Sequence, residues 1–337
     1  MNAGAARVLA LLRGASGAAS GEALSAELGV SRAQVWKHIE SLRRLGYDVE
    51  GEPGGGYRLR AAPDRLYGEE ILCGLDTRWL AREIEHFEEI DSTNRVATER
   101  AAAGAAAGYT VVAEAQTAGR GRLGRRFFSP PHANLYTSIV LRPRLELAQA
   151  PTLIPTAAIA VADAIAAELG RRDDVEIKWP NDVLVGGLKT SGILMELQAE
   201  ATRIGHAILG IGVNLNVDRA DFPDEFRSLA TSLRSFTGRR IDRIGFARRL
   251  YSILEAVLDE HARDGFPPLR ARYEAYFAMA GRRVRVLDAR PDGAGDAQSG
   301  VVVGIDDEGA LWIKTEDGGR TRVIAGDVTL AKESDAS

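Results

Sequence analysis

Two short stretches of this 337-residue chain hold most of the groups that could do chemistry. The first is Lys178-Trp179-Pro180-Asn181-Asp182, which runs on through Val183-Leu184-Val185, Gly186-Gly187 and Leu188-Lys189-Thr190-Ser191-Gly192-Ile193-Leu194. Pro180 cannot lie inside a regular ladder and turns its neighbours away from helix, so Lys178, Asn181 and Asp182 crowd a strand end or loop. Gly186-Gly187 between apolar runs predicts strand, two-residue turn, strand. Lys189 then sits on the second strand just past the turn, and Gly192 stands where a missing side chain lets another group approach. A lysine, an amide and a carboxylate on one hairpin suit an anionic ligand. A surface hairpin with solvated charges explains the same residues equally well.

The second stretch, Gln116-Thr117-Ala118-Gly119-Arg120-Gly121-Arg122-Leu123-Gly124-Arg125-Arg126-Phe127-Phe128-Ser129-Pro130, follows a strand-like run over residues 109–113. Gly119, Gly121 and Gly124 have the G-x-G-x-x-G spacing of a dinucleotide site, but that site needs the glycines to open a helix. Pro130-Pro131 follow at once and no apolar helical period begins. What remains is a flexible glycine loop bearing Arg120, Arg122, Arg125 and Arg126, whose guanidinium forks suit phosphate and carboxylate. A solvated basic loop is the alternative.

The elements that must position these residues can be read from periodicity. Residues 4–14 suit a short amphipathic helix, and Ser20-Gly21-Glu22 starts a second, with Leu24 and Leu28 one turn apart and Gly29 as its stop. Ser31 is an N-cap candidate for a third helix over 32–45, whose apolar face is Val35, Ile39, Leu42 and Leu45. Two short strands, 47–50 and 56–60, flank a turn at Gly51-Glu52-Pro53-Gly54-Gly55. This order is that of a winged helix-turn-helix, in which the third helix enters the major groove of DNA. Ser31, Arg32, Gln34, Val35 and Lys37 are the candidates for base and backbone contact. A winged helix kept for protein contacts is the alternative, and the near balance of charge in this segment supports DNA only weakly.

Ala61-Ala62-Pro63 reads as a linker. Beyond it come a helix over 69–82, a strand over 84–90, an Ala-rich helix opened by Asp91-Ser92-Thr93-Asn94, a strand over 134–142 and a long helix over 150–169. Strands over 175–178 and 207–217, a looped 223–235 and helices over 243–263 and 268–280 complete an α+β domain with a central sheet. Short alternating strands at 284–286, 300–305, 310–313 and 320–324, with turns at 292–295 and 306–309, predict a small SH3-like β-barrel. The expected domains are therefore 1–62, 66–279 and 281–332.

Bulk properties narrow the class. A hydrophobic share of 45% and a charged share of 27% are ordinary for a globular protein. The net charge of −4 leaves any DNA contact to a local patch. A single cysteine, Cys73, excludes an internal disulfide, fits a cytoplasmic setting, and is expected to be a small buried residue. The five histidines have no metal-ligand spacing, and no protein-bound metal is expected. No uninterrupted apolar stretch approaching a membrane span is seen, so no membrane partner is expected.

Taken together, Ser92-Thr93-Asn94, Gln116, Gly119-Arg120-Gly121-Arg122 with Gly124, residues 178–182, Lys189 with Ser191-Gly192-Ile193-Leu194, and Gly210-Ile211-Gly212-Val213-Asn214-Leu215-Asn216 resemble the bifunctional biotin–protein ligases that also repress transcription. The resemblance covers nearly the whole chain. It implies a catalytic domain related to class II aminoacyl-tRNA synthetases. It implies two steps: biotin and ATP form biotinyl-5′-adenylate, with Mg²⁺ on the phosphates, and a lysine of a biotin carboxyl carrier protein takes the biotin. It assigns biotin to Ser92, Thr93, Asn94, Gln116, Arg120, Gly121, Arg122 and Lys189. ATP and adenylate fall to Gly119, Arg120, Arg122, Lys178, Asn181 and Asn214, and catalysis to Lys189, Arg122 and Asp182. For Asp182, a salt bridge with Lys178 is the alternative. Operator DNA and a ligand-linked homodimer are the implied further partners. Leu123 and Phe127 depart from the commonest pattern, which has a third arginine and a tryptophan there. A lipoate–protein ligase, an adenylate-sensing transcription factor without turnover, and a ligase without repressor function are the competing classes.

Overall fold

The computed structural model describes residues 1–52, 55–200, 203–287, 298–324 and 326–330. The expected turns at Pro53-Gly54 and at 292–295 lie outside the described residues. The chain forms two compact units, residues 1–70 and residues 71 onward.

In the first unit, α1 (Ala3–Gly14), α2 (Gly21–Leu28) and α3 (Arg32–Arg44) precede a hairpin of β1 (Asp48–Glu52) and β2 (Gly56–Ala61). Each helix start is set by a short polar side chain. Asn2, Ser20 and Ser31 accept from the backbone N–H groups of Ala5, Ala23 and Gln34. Gly29 ends α2 at φ 66°, a left-handed conformation that glycine takes without strain. Val8, Leu12, Leu24, Val35, Ile39 and Leu42 interlock as the core. The Arg43 guanidinium donates twice to the Val49 carbonyl, at 2.9 and 2.7 Å, and so ties α3 to the hairpin.

Helix α4 (Gly68–Leu72) runs across the boundary between the units in sequence and is far shorter than the helix expected over 69–82. Gly74 turns left-handed at φ 91°, and the N–H groups of Arg78, Trp79 and Leu80 all donate to the Glu255 carboxylate, which replaces helical bonding. The main sheet comprises β3 (Ile84–Ile90), β4 (Thr110–Gln116), β5 (Leu135–Leu141), β6 (Val175–Lys178), β7 (Asp182–Val185), β8 (Leu188–Glu200) and β9 (Arg203–Val213). Its order is β3-β4-β5-β9-β8-β7-β6, antiparallel except for the β3–β4 pair.

Helix α5 (Thr93–Ala102) covers one face, with Val96 and Ala97 packed among Val111, Val140 and Ile208. Helices α6 (Leu153–Leu169) and α9 (Arg243–Asp264) cover the other; the Tyr251 hydroxyl of α9 meets that of Thr137 on β5 at 2.8 Å. Two short helices, α7 (Asp224–Arg227) and α8 (Leu233–Thr237), occupy the segment expected to be loop. Helix α10 (Pro267–Glu274) ends earlier than expected.

A second, five-stranded antiparallel sheet follows: β10 (Arg283–Leu287), β11 (Gln298–Ile305), β12 (Leu311–Thr315), β13 (Arg320–Val323) and β14 (Asp327–Leu330). The strand β14 was absent from the expectation.

One bulk expectation is corrected. Cys73 is exposed, not buried. Residues 147–169 are long and apolar enough to cross a membrane by length and composition, but Gln149, Asp163 and Glu168 interrupt the stretch and 72% of its most apolar window is buried inside the unit.

Candidate functional site

The hairpin of β7 and β8 forms at Gly186-Gly187, both with positive φ. Its register pairs Leu184 with Lys189 and Asp182 with Gly192. The Trp179–Pro180 peptide is cis. Trp179 is buried, and its indole N–H donates to the Gly309 carbonyl at 3.0 Å. Its neighbours Lys178, Asn181 and Asp182 line a cavity of about 660 Å³ instead. The Lys189 Nζ lies 2.7 Å from Asp182 Oδ1, so the partner of Asp182 is Lys189 and not Lys178.

The other end of the cavity is a chain of neutral hydrogen-bonding groups. Thr93 N–H and Oγ1 reach Gln116 Oε1 at 2.9 and 3.1 Å, and Gln116 Nε2 donates to Ser129. Ser138 Oγ lies 2.8 Å from Thr93 Oγ1 and 2.6 Å from Asn94 Oδ1. Ser92 sits at the N-cap of α5 but makes no capping bond with its side chain, which leaves its hydroxyl to the cavity. Between the two ends, the floor is made of glycines on β8 and β9. A Cβ on Gly210 would stand 2.1 Å from Asn94 Oδ1, and one on Gly212 would stand 2.7 Å from the Phe127 ring.

The glycine–arginine loop closes the wall. Arg120 and Arg126 form an isolated antiparallel bridge, Gly121 N–H donates to the Arg125 carbonyl at 2.7 Å, and Phe127 N–H donates to Gly119. One 3₁₀ turn, Arg122–Gly124, is all the helix the glycines open, in keeping with the rejected dinucleotide reading. Arg122 reaches Asn181 Oδ1 at 3.4 Å and the Gly326 carbonyl at 3.3 Å. Leu123 is 58% exposed with φ 55°.

The site is therefore a cavity with cations and a carboxylate at one end, uncharged amides and hydroxyls at the other, and an arginine loop between. The profile of the Biotin/lipoate A/B protein ligase family matches residues 86–214. An HTH domain profile matches residues 5–58, and the Biotin protein ligase C terminal domain matches residues 280–330. The bifunctional ligase/repressor BirA of Bacillus spizizenii is 40% identical over 311 residues, 92% of this chain and 93% of that one. The chain belongs to the biotin protein ligase family.

Another similar relative is BirA of Escherichia coli, 34% identical over 92% of each chain. Among solved structures, the biotin protein ligase from Aquifex aeolicus in complex with biotin and ATP superposes with a TM-score of 0.63, at 28% identity, over 75% of this chain and all of that one.

Most of the expected ligase-site residues gather at this one cavity. Ser92, Thr93, Asn94, Gln116, Arg120, Gly121, Arg122, Lys178, Asn181, Asp182 and Lys189 all line it. Two do not. Gly119 is buried behind the loop, where a Cβ would strike the Phe127 carbonyl at 2.6 Å. Asn214 is buried and spends its amide on Thr231 and Asn134, because strand β9 must end there with its polar groups satisfied. Both lie outside the cavity lining, with scaffold contacts of their own, and their ATP contact stays a proposal. Sequence reasoning missed Tyr136, Thr137 and Glu225, which also line the cavity. Tyr136 and Thr137 lie inside an apolar strand that announces nothing, and Glu225 lies in a segment read as loop.

On α3, Arg32, Gln34 and Lys37 are exposed, and Ser31 caps the helix. Val35 is 1% exposed and belongs to the core, so its expected base contact is corrected. Trp36, 53% exposed on the same outward surface, was missed because an aromatic residue reads as core.

Proposed function

We propose that this chain is an ATP-dependent biotin–protein ligase that forms biotinyl-5′-adenylate and passes biotin to a lysine of the biotin carboxyl carrier protein of acetyl-CoA carboxylase. The Lys189–Asp182 pair at the charged end of the cavity carries this reading. A biotin carboxylate oxygen attacks the α-phosphorus of ATP, the bond to the bridging oxygen breaks, and pyrophosphate leaves. An anion approaches a polyanion in this step, so fixed positive donors stabilise the transition state. Lys189 is the principal donor, held in place by Asp182. Arg120 and Arg122 hold the loop over the adenylate and limit its hydrolysis by water. In the second step the carrier amine attacks the mixed anhydride carbonyl, AMP leaves, and the amine proton passes to a nearby base, for which Asp182 is the candidate. The neutral end, Ser92, Thr93, Asn94 and Gln116, offers donors and acceptors of the kind a ureido ring requires.

Mg²⁺ would be held chiefly by the ATP phosphates, whose charge it would offset, because among the described residues no group of three or more His, Cys, Asp or Glu side chains is placed to hold a metal and Asp182 is already paired with Lys189.

The chain is also, in this reading, a biotin-responsive repressor. Arg32, Gln34 and Lys37 of α3 face operator DNA, and adenylate binding promotes a homodimer that presents two such helices to a palindromic site. The corresponding domains are a winged helix over 1–62, a ligase domain over 66–279 related to the class II synthetase catalytic domain, and an SH3-like barrel over 281–332. The working compartment is the cytoplasm.

ATP–pyrophosphate exchange tests the first step. Exchange that depends on biotin and not on lipoate is expected. Exchange with lipoate alone would make this a lipoate ligase, and tight biotin binding without exchange would make it a sensor.

A further inference from the structure

Glu196 lies on β8 on the same sheet face as Gly192 and Leu194, beyond the cavity floor. Its two oxygens have different partners. Oε2 accepts from Asn94 Nδ2 at 2.8 Å, and Oε1 lies 3.7 Å from Arg120 Nη1. Asn94 is the residue at the neutral end of the cavity whose Oδ1 faces the Ser138 hydroxyl and whose approach requires the glycine at 210. Arg120 belongs to the loop that walls the other side. One carboxylate thus spans the pocket floor and the loop.

We propose that Glu196 is a positioning residue that couples ligand seating at Asn94 to closure of the glycine–arginine loop. An ionised carboxylate only accepts hydrogen bonds. It therefore fixes the Asn94 amide with nitrogen toward β8 and oxygen toward Ser138, and leaves the second amide N–H in a defined place for a ligand acceptor. The same negative charge attracts Arg120 and favours the closed loop. Both side chains of this ion pair are partly exposed, 52% for Arg120 and 39% for Glu196, so the attraction is that of a solvent-screened pair. The expected effect on loop opening is about two- to fivefold, the size of an exposed ion pair. The inference rests on the ligase reading for its consequence, while the Glu196 contacts to Asn94 and Arg120 are geometry alone.

The test compares Glu196→Gln, Arg120→Gln and the double variant with wild type. Hydrogen exchange of the loop amides in the unliganded full chain is the first readout. Each single variant should open the loop about two- to fivefold more often, and the double variant no more than either single one. The second readout separates KM from kcat in biotin-dependent pyrophosphate exchange. Glu196→Gln should raise the KM for biotin several-fold, because a glutamine amide can also donate and so lets Asn94 turn over, while kcat changes less than about twofold. Additive loop effects, or exchange rates in Glu196→Gln equal to wild type, would overturn the coupling. A wild-type chain that shows no biotin-dependent exchange would instead sink the ligase reading, and the loop measurement would still judge the Glu196–Arg120 link.

Discussion

At the residue scale, the site depends on what is present at Lys189 and on what is missing at Gly210. Lys189 is half of a 2.7 Å ion pair on the cavity wall. Its replacement by alanine should lower pyrophosphate exchange by about 10²–10³, the usual cost of losing one fixed transition-state donor, with the circular dichroism spectrum unchanged. Loss of less than about tenfold would move the catalytic charge elsewhere. Gly210 is different, since a methyl group there would overlap Asn94 Oδ1. Gly210→Ala should weaken biotin binding by tenfold or more, about 1.4 kcal/mol, measurable by calorimetry. Much at this scale was legible. The glycine pair announced the hairpin, and the hairpin placed Lys189. The partner of Asp182 was not legible, because Lys178 is nearer in sequence while the ladder brings Lys189 across. Nor were the buried partners of Asn214, since an asparagine looks alike in sequence whatever its amide bonds to.

At the element scale, long-range charged contacts hold the layers together, and none of them follows from local pattern. Glu114 of β4 and Arg243 of α9 are both fully buried and lie 2.8 Å apart. His132 also approaches Glu114, at 3.2 Å. Removing Arg243 takes from the buried Glu114 carboxylate its one permanently charged partner in this cluster of Glu114, Arg243 and His132, so Arg243→Ala should cost about 3–5 kcal/mol in denaturant unfolding. The double change Glu114→Leu with Arg243→Met should recover much of that loss; a double variant as unstable as the single would assign the cost to lost packing. Glu255 acts between α9 and the segment before β3. Burial raises its pKa, but the N–H groups of Leu80, Trp79 and Arg78 outweigh this and hold the carboxyl below its ordinary value. The stability it adds is therefore present above the unfolded carboxylate pKa of about 4.3 and is lost as pH falls through the lower folded value. Glu255→Gln should destabilise the protein most near neutral pH, and the gap to wild type should shrink in acid. A gap independent of pH would mean shape rather than charge is at work. The same three N–H groups explain why the helix expected over 69–82 stops early: their bonds go to a side chain some 175 positions further along the chain.

At the scale of the whole molecule, the order of elements was legible almost throughout. Period-three-four and period-two patterns are strong in helices and hairpins that bury one face, such as α3 and the β7–β8 pair. Strand β14 was missed because it is short and lies close to the chain's end. The exposed Arg32, Gln34, Trp36 and Lys37 on α3 belong to a unit whose core is its own. If that unit reads DNA in response to the adenylate, sedimentation of the chain should show association when biotin and ATP are added, and not with either alone. No ligand-linked association would remove the proposed dimer while leaving the ligase intact.

In the proposed function this cavity activates biotin and hands it on. The most direct measurement is transfer of labelled biotin by the purified chain, with ATP and Mg²⁺, to a biotin carboxyl carrier domain. ATP-dependent label on a single carrier lysine is expected, lost in the Lys189→Ala variant. Biotin that binds the wild-type chain tightly but never reaches the carrier would contradict it.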